Sequence, residues 1–165
     1  MAGPETLTAT ATTRRTSVVG RHGATVVAMA VGAAVTIVGS WLPWLHTGNR
    51  SRHSYDIFAL VERLGFSPDG AVGVLVRWWP LVPLVTVAAV VLAWWGWRRI
   101  GGGLGIVGGL YAGGVGVAVA RAPAVVEIGL GPRVTAVGGL ILVVASGATC
   151  AVSHLGRIRP TDPAR

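Results

Sequence analysis

Four stretches of about 20 residues, 24–45, 78–97, 101–120 and 134–153, hold no Asp, Glu, Arg or His in their interiors. Each is long enough to cross the ~30 Å hydrocarbon core as a helix rising ~1.5 Å per residue. In lipid a lone segment satisfies its backbone hydrogen bonds only as a helix. Composition agrees: 52% of residues are hydrophobic and 12% charged, whereas soluble domains carry ~25% charged residues. The pattern predicts an all-α integral membrane four-helix bundle forming one domain, residues 21–156. Residues 1–20, rich in Thr, and 157–165, with two prolines, read as flexible tails.

The basic residues are 14 arginines, with no lysine, and the formal charge is +8. They sit at the ends of the apolar runs and form no stripe, so nucleic acid is not an expected partner. Eight of them (Arg14, Arg15, Arg21, Arg98, Arg99, Arg157, Arg159, Arg165) share one side with Glu5 and Asp162. The other six (Arg50, Arg52, Arg63, Arg77, Arg121, Arg133) face the opposite side with four acids. The positive-inside rule then predicts a multi-pass plasma-membrane protein with both termini in the cytoplasm. The first run is too long for a signal-peptide core and ends in no small-residue cleavage site, so it is expected to stay attached. Trp41, Trp44, Trp78, Trp79, Trp94, Trp95 and Trp97 all fall at span ends, where an aromatic belt anchors helices at the interface.

The one long loop, 46–77, lies on the outer side. Within it residues 54–64 have helical periodicity: Ile57, Leu60, Val61 and Leu64 share one face, and Asp56, Ala59, Glu62 and Arg63 the other. A short amphipathic helix is expected, capped by Ser54 and ended by Gly65, with a tight turn at 67–70. His46, Arg50, Arg52, His53, Asp56 and Glu62 crowd this loop. They suit an anionic lipid headgroup or a phosphate-bearing ligand, or simply a solvated loop that anchors the interface. Two histidines seven apart are a weak pattern for zinc, and the single Cys150 offers no disulfide or thiolate cluster. No metal or cofactor is therefore expected.

Gly101, Gly105, Gly109 and Gly113 recur every four residues along the third run, and Gly108, Ala112, Gly116 and Ala120 form a second small row beside them. This extended GxxxG pattern, a glycine zipper, lets helix backbones approach closely. One reading is self-association, even around a pore. The other is packing within the chain against Gly32, Thr36 and Ser40 of the first run.

Leu42, Pro43 and Trp44, then Gly48, a basic residue ahead of Ser54, Tyr55 and Asp56, and finally Arg63, Leu64 and Gly65 give the chain a resemblance. It resembles a group of small actinobacterial four-helix membrane proteins of uncharacterised function. The resemblance covers most of the helical region and implies topology and lineage, not an activity.

No phosphate-binding glycine loop, HExxH or paired helical histidine is present. The spans also lack the intramembrane ionisable residues that mark proton and ion pathways. The leading expectation is a non-catalytic accessory or scaffold subunit of an envelope complex, with the bilayer and a membrane-protein partner, or a second copy, as its contacts. The alternatives are a homo-oligomeric channel or small-solute carrier packed through the glycine-rich helix, and an envelope lipid-binding protein or enzyme using the outer loop.

Overall fold

The computed structural model describes residues 4–47, 50–63, 77–121 and 127–155. The tight turn expected at 67–70, the helix end at Gly65 and the tail at 157–165 lie outside them. The fold is an all-α bundle of membrane-like helices: α1 (Pro4–Trp41), α2 (Ser54–Arg63), α3 (Val82–Trp94), α4 (Arg98–Arg121) and α5 (Gly131–Leu155). Within α1, side chains are described from Gly23 onward.

Three of these helices are long and apolar enough to cross a membrane: α1 from Gly23 to Trp41, α4, and α5 from Gly131 to His154. The helix at the second expected span is shorter than its 20-residue apolar run. A single 3-10 turn (Trp79–Leu81) leads into α3, and the apolar helix Trp79–Trp94 reaches only about 25 Å. Pro80 and Pro83 explain the tight start. Neither has an N–H, so both suit first-turn positions, where intrahelical donors have no partner anyway.

The bundle is a ring in which α1 packs on α5, α5 on α4, α4 on α3 and α3 on α1, with little contact between α1 and α4. The helix α5 serves two neighbours at once. Its residues Thr135, Gly138 and Leu142 meet Gly39, Thr36 and Gly32 of α1, each step along one helix matched by a step back along the other. The positions one residue further on, Ala136, Gly139 and Val143, together with Ser146 and Cys150, meet α4. Neighbouring positions lie ~100° apart on a helix, so doublets repeated every three to four residues give α5 two small-residue faces.

The buried threonine hydroxyls bond back within their own helices. Thr36 Oγ1 donates to Gly32 O at 2.8 Å, Thr135 Oγ1 to Gly131 O at 2.9 Å and Thr149 Oγ1 to Ala145 O at 2.9 Å. Bonded to the preceding turn, each threonine presents a compact, nearly apolar surface to its neighbour.

The first helix ends at Trp41 instead of running to Leu45. Pro43 explains the change: it disfavours helical backbone at Leu42 and cannot donate to a helical ladder. The chain instead forms β1 (Pro43–Thr47), which pairs antiparallel with β2 (Arg50–His53) and with β3 (Glu127–Ile128) in the order β2-β1-β3. This small sheet was not expected from the sequence.

Candidate functional site

The sheet, α2 and the ends of α1, α3 and α5 nearest to them converge on one cap. It starts from a physical need, because the last carbonyls of a helix have no intrahelical donors. At the end of α1, Leu42 N donates to Val38 O at 3.1 Å, Trp44 Nε1 to Gly39 O at 3.0 Å and Ser54 Oγ to Ser40 O at 2.7 Å. Ser54 Oγ also accepts from Trp79 Nε1 at 3.2 Å. One hydroxyl therefore joins α1, the start of α2 and the start of the second span. Ser54 was expected to cap its own helix, and its hydroxyl caps α1 instead.

Trp44 and Trp79 correct the expectation of seven interface anchors. Each is 1% exposed, and their rings meet edge to face with centroids 5.2 Å apart. Trp79 also stacks at a tilt on Tyr111 of α4, and Trp44 lies against Gly131 at the start of α5. Val82 and Ala112 complete the cluster, with Tyr55 and Ile57 of α2 packed against it. The other five tryptophans, Trp41, Trp78, Trp94, Trp95 and Trp97, are exposed.

The polar residues of the loop do not form one cluster. Register places His46 beside Ser51 and Glu127, and Arg52 beside Leu45. Adjacent positions on a strand face opposite ways, so His46 and Arg52 belong to opposite faces of the sheet. His46, His53 and Asp56 are exposed and Arg52 is half-buried. Arg50 pairs in register with Thr47, and Glu62 lies near the end of α2; their side chains lie outside the described residues. Among the described residues no three His, Cys, Asp or Glu side chains come together to hold a metal. Glu127 was not singled out in the sequence, since only the pairing of β3 with β1 brings it next to His46.

On α2, Ile57 packs inward while Asp56 and Ala59 are exposed, in keeping with the amphipathic period. Leu60, Val61 and Arg63 carry side chains outside the described residues, and Leu64 lies outside them altogether.

The glycine rows of α4 meet α5 and α3, not the row on α1 that the spacing suggested. A methyl group added to Gly109 would sit 2.8 Å from Gly139 O, and one on Gly116 2.6 Å from Pro132 O. Gly105 faces the Ser146 hydroxyl, and a methyl on Gly113 would stand in looser contact, 3.6 Å from the Gly139 Cα. Toward α3, Gly101 would meet Ala89 O at 2.6 Å and Gly108 the Val85 side chain at 3.3 Å. The partner differs from expectation because α5 stands between α4 and α1.

No protein family, curated protein or solved structure matches the chain.

Proposed function

We propose that this protein is a non-catalytic, multi-pass accessory or scaffold subunit of an envelope complex, set in the plasma membrane with both termini in the cytoplasm. The observation that carries the reading is the outer cap. Two buried indoles and the Ser54 hydroxyl fasten a small sheet and an amphipathic helix onto the helix ends. A plate held this firmly presents a constant surface to a partner, with His46, His53 and Asp56 exposed on it. The glycine rows of α4 argue against the channel reading, because α5 and α3 already occupy them.

Gentle affinity purification from the native membrane tests the proposal. The expected result is a fixed set of co-purifying membrane proteins that is lost when Ser54→Ala loosens the plate. A uniform homo-oligomer with no second protein supports the channel reading instead. Orientation is tested separately in a Cys150→Ser background. A cysteine at Ser51 should react with an impermeant reagent in intact cells, and reaction only after permeabilisation reverses the topology.

A further inference from the structure

The end of the bundle away from the sheet carries a different kind of surface. There α3 stops at Trp94, and Gly96, with φ of 93°, turns the chain into α4. Glycine alone adopts that backbone without strain. The turn leaves Trp94, Trp95 and Trp97 exposed at 73%, 74% and 62%. Beside them Arg99 is exposed and Arg98 half-buried. His154, exposed in the last turn of α5, belongs to the same end, because Gly102 of α4 approaches Cys150.

Among the described side chains no acid lies at this end. The first turn of α4 contains no acidic residue, and between Arg63 and Glu127 the chain has one carboxylate, Asp69 of the outer loop. Two guanidiniums at the positive end of a helix dipole repel it unless an anion is supplied from outside. The three indoles specify where that anion sits: tryptophan prefers the depth where its ring is apolar and its N–H is wet. Guanidinium matches phosphate oxygens as a planar fork.

We propose that residues 94–99 form a docking surface for the phosphate headgroups of anionic phospholipids. The indoles seat at headgroup depth while Arg98 and Arg99 pair with phosphate oxygens. The surface lies at the opposite end from the outer cap, so its failure and the failure of the accessory-subunit reading are separate results.

Native mass spectrometry of the full chain, released from detergent after equilibration with equal amounts of phosphatidylglycerol and phosphatidylcholine, tests this. The expected result is retention of phosphatidylglycerol favoured roughly thirtyfold, as two basic residues at an anionic surface give. That preference should fall to near parity in Arg98→Gln/Arg99→Gln. It should survive in Arg121→Gln/Arg133→Gln, which removes as much charge from the other end. If the first double variant does not elute as a folded species, Arg99→Gln alone, at an exposed position, should still lower the preference severalfold. No preference in the wild type, or equal loss in both double variants, overturns the proposal. Displacement of the lipid by inorganic phosphate at equal concentration overturns it too, since a bilayer headgroup would then not be the ligand.

Discussion

The α4–α5 seam and the sheet-bearing cap are both buried, yet they are built from opposite materials. The seam works by leaving side chains out: Gly109 and Gly139 bring two helix backbones within van der Waals reach. The cap works by putting the largest side chains in, with Trp44 and Trp79 filling the space and their indole N–H groups bonded to Gly39 O and Ser54 Oγ. In hydrocarbon, apolar burial gives no advantage over lipid contact, so close backbone packing is what holds helices together. At the cap, strand, turn and helix ends bring polar backbone groups that must be paired. The seam should therefore fail by overfilling and the cap by truncation.

The largest effect is expected from Trp79→Ala, which empties the centre of the cap and should lower stability by ~3–5 kcal/mol. Thermal unfolding in detergent measures it, and Trp79→Phe should recover most of the packing loss. A loss below ~1 kcal/mol, the size of an ordinary substitution, would mean that the cap is not a structural unit.

Gly109→Leu should come next. It drives a side chain toward Gly139 O and Val143, and overpacking of this kind costs ~1–3 kcal/mol. The fall should appear in the stability of the monomer, read by thermal unfolding. A drop in oligomer size with the fold intact would instead assign the row to self-association.

Ser54→Ala removes the hydroxyl that links Ser40 O to Trp79 Nε1, and should cost about 1–2 kcal/mol. Hydrogen exchange should show the loss concentrated in residues 43–57, with the α4–α5 seam unchanged. Uniform deprotection would instead merge the two regions into one cooperative unit.

The smallest change is expected from Leu110→Ala. Leu110 is one position from Gly109 but 61% exposed. Its loss should stay within ~0.5 kcal/mol, as at other outward positions. A cost equal to that of Gly109→Leu would mean that the glycine face is not special.

The seam and the cap were unequally legible in the sequence. Spans were visible because an uncharged apolar run of that length has one economical backbone solution, and α2 because its period alternates a packed Ile57 with exposed Asp56 and Ala59. The glycine face of α4 was visible too, but not its partner. The signal for that partner was the doubling in α5, Thr135 with Ala136 and Gly138 with Gly139, which marks a helix with two neighbours. The cap was hidden for a different reason. A tryptophan at the end of a span reads as a belt residue whether it faces lipid or its own bundle, and only the latter holds for Trp44 and Trp79. The sheet joins Pro43–Thr47 to Glu127–Ile128, and two residues are too short to carry a strand pattern.

The contact that decides the fold is that of α4 with α5 within one chain. In a Cys150→Ser background, Gly113→Cys/Ala136→Cys places one thiol on each side of the seam at positions with room for it; a Cβ added at Gly113 would lie 3.7 Å from Ala136 O. A short lipid-permeant bis-methanethiosulfonate, applied to membranes, then reports the pairing. With the seam inside one chain, both thiols are consumed in a species of monomer mass. A cross-linked dimer, or two thiols that both stay free, would contradict it.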